Sequence, residues 1–328
     1  MFDFAGQTLD ASDRHLLRQP EVGGIILFAR NTESPTQVRE LVKAVRAVRP
    51  DMLIAIDQEG GRVQRLRREV VKLPALGRIA ALGTEQAEAA AYAAAWVMAW
   101  EMLACGIDFS FAPVLDLDYG RSQVIGDRSL GADPHQVVRL GRAYIAGLRA
   151  AGMAATGKHF PGHGWAEADS HFALPVDARS EAEIRATDLI PFAGLASELD
   201  GIMPAHVVYS AVDSLPAGFS RRWLQDILRG ELGFRGTIFS DDLTMAGAHA
   251  VGDMAQRVDA ALSSGCDMLL VCNDRGAAEQ ALVHAQKLGM RPATLPSTLR
   301  ARSDPGVDYK ASPQWSQALA CLTKLQLI

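Results

Sequence analysis

Short apolar runs and longer amphipathic stretches alternate along the whole chain. The runs "GGIILFA" (23–29), "MLIAID" (52–57), "FSFAPVLDL" (109–117), "AATGKHF" (154–160), "GIMPAHVV" (201–208), "GTIFSDD" (236–242) and "MLLVCN" (268–273) are apolar at consecutive rather than alternate positions. Strands with that pattern are buried on both faces, as in a parallel sheet. "MFDFA" (1–5) is an eighth candidate and the weakest, being short and starting at Met1. Between the runs lie segments with helical spacing, among them "SPTQVRELVKAVRAVR" and "PHQVVRLGRAYIAGLRAAG". The second closes on Gly152, a residue suited to the left-handed turn that ends a helix.

Eight strands alternating with helices, and no Gly/Ser/Pro-rich linker, predict an α/β protein. The expected form is a single-domain (β/α)8 TIM-type barrel over residues 1–328, with the tail after about residue 290 unassigned. A doubly wound open sheet is the second reading, but the GxGxxG that opens many such folds is missing after the first strand. The alanine-rich "EQAEAAAYAAAWVMAWEMLACG" (85–106) reaches membrane length, yet it holds Glu85, Glu88 and Glu101. Alanine is too weakly apolar to compensate, so a buried helix is expected and no membrane association.

Composition narrows the class. With 48% hydrophobic and 22% charged residues, the 328-residue chain can bury a substantial core. Its net charge of −5, without a Lys/Arg cluster interleaved with aromatics, argues against a nucleic-acid partner. The first residues, "MFDFAGQTLDASDRHLL", lack the basic and apolar regions of a signal peptide. Cys105, Cys266, Cys272 and Cys321 have no CxxC spacing and read as reduced core residues of a cytoplasmic protein.

In a barrel of this kind, catalytic groups sit where strands end and the following loops begin. The strand ends here read Asp57, Asp116, Lys158-His159, His206, Asp241-Asp242 and Asn273. One such residue would be unremarkable; six form a pattern.

Each motif has a plain structural reading beside a chemical one. "AIDQEGGRVQR" (55–65) is either a strand-terminating turn or a pocket wall, its glycines admitting a ligand and Asp57 gripping sugar hydroxyls. Arg128 in "GDRSLGADP" (126–134) is either a loop-stabilising ion-pair partner or a donor to substrate oxygens. "GKHFPGHGWAEADSH" (157–171) places Lys158 and His159 at a strand end, then breaks into a glycine-rich loop with His163, Asp169 and His171. Asp169 can reach the His171 imidazole and fix its tautomer, as general acid–base catalysis requires. "GTIFSDDLTMAGA" (236–248) ends a strand in two acids, of which alternation lets one face the axis. Asp242 is expected to cap a helix, leaving Asp241 as the nucleophile.

Three classes compete for these residues. A retaining glycosidase would use Asp241 to attack the anomeric carbon and His171, oriented by Asp169, as acid and then base. A metallohydrolase would gather His159, His163, His206 and an aspartate around zinc, but no H-x-H or HExxH pairing supports it. A sugar-binding protein without catalysis leaves Asp241 and the loop dyad without work. The glycosidase accounts for most residues.

Together "DQEGGRVQR", "GKHFPGHG…DSH", "IMPAH" and "FSDDL" resemble glycoside hydrolase family three, and within it the bacterial cytoplasmic β-N-acetylglucosaminidases of peptidoglycan recycling. The resemblance spans residues of about 22 to 275, with motif order intact. It implies that Asp241 is the nucleophile, His171 the acid/base and Asp169 its partner. It also implies that Asp57, Arg65, Arg128, Lys158 and His159 hold an N-acetylglucosamine unit, with His206 lining the same pocket. The implied substrate is N-acetylglucosamine β-linked to anhydro-N-acetylmuramic acid, with or without a stem peptide. No metal or organic cofactor and no partner beyond this small molecule are expected, and a monomer is.

Overall fold

The computed structural model of the chain describes residues 1–167, 174–290, 295–306 and 308–328. Its strands are β1 (Gly24–Leu27), β2 (Leu53–Ile56), β3 (Gln58–Gly60), β4 (Val63–Gln64), β5 (Phe109–Ser110), β6 (Thr156–Phe160), β7 (Val176–Asp177), β8 (Gly201–Pro204), β9 (Val208–Tyr209), β10 (Thr237–Asp242) and β11 (Met268–Leu270). One sheet has the order β1–β2–β5 and a second β11–β10–β8–β6. Every pairing in these two sheets is parallel. β3 and β4 form a small antiparallel pair, and β7 and β9 a parallel one.

Seven of the eight predicted strands are therefore present, each shorter than its apolar run. The N-terminal run contributes one bridge, Phe2 to Ile25. The run 109–117 is a strand only over Phe109–Ser110, because Pro113 has no N–H to offer the ladder; beyond it Val114 makes an isolated bridge to Lys158. The α/β alternation and the parallel sheets are as expected. The described strands do not form one closed sheet: the two larger parallel sheets are separate and are joined by isolated bridges.

Helices cover the crossovers, and their ends follow from local sequence. Helix Pro35–Val48 starts on Ser34, whose hydroxyl accepts the Gln37 N–H, and it buries Val38, Leu41, Val42 and Val45. Helix Pro134–Ala151 starts on Asp133 and ends at Gly152, whose φ of 90° is left-handed. This helix lies so close to helix Thr84–Ala104 that a Cβ on Gly147 would sit 2.3 Å from the Tyr92 carbonyl oxygen. The alanines of that segment serve close helix packing, and no described helix is long and apolar enough to cross a membrane.

Between the sheets, Phe109, Phe111 and Phe239 pack edge to face or tilted, with centroids 5.2, 5.7 and 5.0 Å apart. The tail is folded onto the body. Helix Pro313–Lys324 packs on Thr84–Ala104, and Leu299, Tyr309, Trp315 and Leu322 are buried in the common core.

Candidate active site

Six of the nine candidate residues, Asp57, Arg65, Arg128, Lys158, His159 and Asp241, line one cavity of about 850 Å³ at the C-terminal ends of the parallel strands. Asp241 thus faces the same space as Asp57 and Lys158. Asp169 and His171 lie outside the described residues.

The cavity is lined by a partial ring of alternating charges, Arg65–Asp57–Lys158–Glu59–Arg128. Lys158 Nζ donates to Asp57 Oδ1 at 2.7 Å and lies 2.6 Å from Glu59 Oε1. Arg128 grips Glu59 through two contacts of 2.8 Å, and Arg65 reaches Asp57 Oδ2 at 3.3 Å. Burial pushes the Glu59 carboxyl up, but Arg128 and Lys158 outweigh it and hold the group well below the usual carboxylate range. Asp57 is likewise raised by burial and then drawn below its ordinary value by Lys158 and Arg65. Both acids are therefore ionised at neutral pH, and three cations face two anions. Arg128 proves to be both an ion-pair partner and a cavity-lining donor.

Glu59 is held by both Lys158 and Arg128 and had no role of its own in the motif reading. The motif "DQEGG" contained it, but the pairing spans 69 residues to Arg128 and 99 to Lys158, beyond any local pattern. The glycines that follow have a use within the fold. Gly60 (φ 106°) and Gly61 (φ 54°) turn the chain against residues 73–75, where a Cβ on Gly60 would lie 2.4 Å from the Pro74 carbonyl oxygen. Their close neighbour is another part of the chain.

Lys158 and His159 are adjacent, yet both line the cavity. The register shifts here: Lys158 pairs with Met203 and Phe160 with Pro204, and His159 has no opposite residue on β8. Asp116, fully buried, accepts from His159 Nδ1 at 2.7 Å and from the backbone N–H groups of His159 and His163. Burial raises the Asp116 carboxyl, but the His159 imidazole more than offsets this and keeps it low. It fixes which edge of His159 faces the cavity.

Beyond β6 the chain stays pinned. Tyr209 Oη donates to the Gly162 carbonyl oxygen, and a Cβ on Gly164 would collide with the Leu117 carbonyl. His163 is buried rather than exposed on the loop; burial and then His159 push its imidazole down to about 4, so it is neutral at pH 7. Trp165 is flanked by the guanidinium carbons of Arg121 at 4.2 Å and Arg179 at 4.5 Å. This firm root leads directly to the 168–173 segment.

Two expectations need correction. His206 does not line the cavity: it is fully buried, its ring lies on Phe219, and its Nε2 is 3.1 Å from the Asp242 carbonyl oxygen. Asp242 does not cap a helix, because helix Ala246–His249 has Met245 at that position. Instead the Asp242 carboxylate accepts N–H groups from Thr244 and Cys272. A register shift in β10 between Phe239 and Asp242 lets both adjacent acids border the cavity, against simple alternation. Among the described residues no cluster of three His, Cys, Asp or Glu side chains is arranged to hold a metal ion.

Comparison with known proteins bears on the class of this site. Residues 4–296 match the glycosyl hydrolase family 3 N-terminal domain. The chain is 59% identical over 328 residues to a β-hexosaminidase of Pseudomonas aeruginosa strain UCBPP-PA14, covering 100% of this chain and 98% of that one. It is 50% identical over 326 residues to a β-hexosaminidase of Methylococcus capsulatus, covering 97% of each. Among solved structures, NagZ from Neisseria gonorrhoeae in complex with N-trifluoroacetyl-D-glucosamine superposes with a TM-score of 0.90 at 40% identity, over 99% of this chain and 97% of that one. The chain belongs to glycosyl hydrolase family 3 and is a glycosidase.

Proposed function

We propose that this glycosidase is an exo-acting β-N-acetylglucosaminidase that hydrolyses its substrate with retention of anomeric configuration. The observation that carries the reading is the shared cavity: Asp241 faces the charged ring of Asp57, Glu59, Arg65, Arg128 and Lys158 across a space of sugar-binding size. Ionised Asp57 and the ring cations supply acceptors and donors for vicinal hydroxyls and the acetamido oxygen, while His159 offers the imidazole edge left free by Asp116. The hexosaminidase relatives and the glucosamine derivative bound to the gonococcal NagZ support an N-acetylglucosamine unit in this ring.

In the first step an Asp241 carboxylate oxygen bonds to C1 as the C1–O bond to the leaving group breaks. Protonated His171 gives its proton to the departing leaving-group oxygen and becomes neutral. In the second step water attacks C1, the C1–Asp241 bond breaks, and the neutral His171, oriented by Asp169, takes the proton from water. A neutral imidazole base suits a leaving group that carries carboxylates, since a deprotonated carboxylate base would repel it. The substrate is N-acetylglucosamine β-linked to anhydro-N-acetylmuramic acid, with or without a stem peptide, in the recycling of cell wall.

The bridges Phe2–Ile25, Phe109–Ala154 and Val114–Lys158, with the hydrogen bond from Val271 to the Met1 carbonyl, support reading the eight parallel segments as one (β/α)8 barrel. The tail buried in the common core supports a single domain. Four free cysteines, of which burial raises the Cys105 and Cys266 thiols to about 12, fit a reducing cytoplasm. The enzyme works as a monomer without a metal or organic cofactor. The test compares the β-nitrophenyl glycosides of N-acetylglucosamine, glucose and N-acetylgalactosamine. An activated 5-fluoro N-acetylglucosamine derivative then traps the intermediate for mass spectrometry. A preference for the first glycoside and a label on Asp241 are expected; a label elsewhere, or none, overturns the mechanism.

A further inference from the structure

Asp241 Oδ1 accepts the N–H of Asp242 at 2.8 Å, so the direction of that carboxylate depends on how Asp242 is held. Asp242 is held at every polar atom. Its carbonyl oxygen meets His206 Nε2 at 3.1 Å, and since a carbonyl only accepts, His206 carries a proton on Nε2. The His206 ring lies flat on Phe219, with centroids 5.3 Å apart and planes 8° apart, and cannot swing away. Asp242 Oδ1 accepts the N–H groups of Thr244 and Cys272, both at 3.0 Å. Its Oδ2 accepts Asn273 Nδ2 at 3.3 Å.

Asn273 is oriented in turn from the opposite side. Its Oδ1 accepts Arg30 Nη1 at 3.0 Å, which leaves Nδ2 to donate to Asp242. Its backbone N–H is 3.2 Å from both carboxylate oxygens of Asp3, and Asp3 also pairs with Arg30. The Arg30 guanidinium rests over the Phe28 ring at 4.7 Å. Asn273 adopts a φ of 62°, a left-handed conformation that Asn enters more readily than most residues. The contacts tie together three stretches that are distant in sequence: residues 3, 28–30 and 272–273.

We propose that Asn273 and Asp242 are positioning residues for the reaction: Asn273 locks the Asp242 side chain, and the Asp242 N–H pins Asp241 Oδ1 so that Oδ2 is the oxygen presented to C1. The inference rests on the reading of Asp241 as nucleophile. Misalignment of a reacting atom by about 1 Å costs on the order of 10²-fold in rate, so losing the lock should act on the chemical step rather than on sugar binding.

Asn273→Gly is the cleanest variant, because glycine accepts the left-handed backbone and only the side chain is lost. The expected result is a kcat on nitrophenyl N-acetylglucosaminide lowered about 10-fold or more, and trapping by the 5-fluoro sugar slowed in parallel. The inhibition constant of free N-acetylglucosamine should stay within about twofold of the parent, as for any change confined to the chemical step. Unchanged trapping, or equal loss of trapping and sugar affinity, overturns the proposal. If Asn273→Gly does not fold, Asp242→Asn makes the same test, since its amide would meet the Asn273 amide donor to donor. The outcome is separable from that of the mechanism itself: a parent enzyme that takes no label at Asp241 refutes the nucleophile, whereas a labelled parent and an equally fast variant refute the positioning alone.

Discussion

Arg128 and Glu59 form a two-point ion pair, Nε to Oε2 and Nη2 to Oε1, both at 2.8 Å, with Glu59 buried. A lysine cannot reproduce that fork. Arg128→Met leaves the Glu59 carboxylate with Lys158 alone, and removal of one member of a buried pair costs about 3–5 kcal/mol. Urea denaturation should show a loss of that order, with Arg128→Lys intermediate. Parent-like stability in both variants would show that the pair does not hold the fold.

Acid should weaken the same ring. The folded-state values of Asp57 and Glu59 lie below their ordinary ones, so the folded protein binds fewer protons than the unfolded chain at mildly acidic pH. Their contribution is fully present above about pH 4.5 and is lost as pH falls from there. Glu101 acts in the opposite sense. Burial raises its carboxyl to about 8, with the Val71 N–H and then Lys310 opposing, so the folded state holds a proton that the unfolded chain has released. Stability should therefore decline as pH rises from about 4.5 to 8 through this group. Glu101→Gln keeps an acceptor for the Val71 N–H and removes the titration. Thermal midpoints should match the parent near pH 5 and exceed it near pH 8; a constant difference between the two would discount the buried proton.

Asp241→Ala should lower turnover by about 10⁴-fold or more and leave the thermal midpoint close to that of the parent. The side chain is partly exposed and, among the described residues, its hydrogen bond is to the backbone of the next residue, so folding depends on it little. Residual activity within about tenfold of the parent is incompatible with a covalent role.

Replacing His171 by Ala should slow substrates according to their leaving groups. General acid catalysis contributes about 10²–10⁴-fold where the leaving oxygen needs a proton. A dinitrophenyl glycoside should therefore lose far less in its first step than a disaccharide does. Equal losses on both would assign His171 to binding.

Much of this site could be read from the chain before any coordinates. Consecutive apolar positions placed seven strands, and the polar residues closing them named six of the cavity's lining side chains. That success has a local cause, since a parallel strand must be apolar along its length and the first polar residue marks where it leaves the core. Asp169 and His171 rest on the sequence alone. What failed was alternation at β10, where the register is irregular, as it also is at β6, and both adjacent acids border the cavity. Nothing in "KHF" or "SDD" marks those shifts, because they depend on the partner strand.

The order of elements, the helix ends at Ser34, Asp133 and Gly152, and the chemical inventory of the strand ends follow from the chain itself, because each depends on neighbours a few residues away. Glu59 as the shared partner of Lys158 and Arg128, His206 as a support behind Asp242, and the tie from Asp3 through Asn273 were decided only by the tertiary structure. Those contacts join residues 36 to 270 positions apart. An ionised or hydrogen-bonding group carries no mark of its distant partner until packing brings the two together.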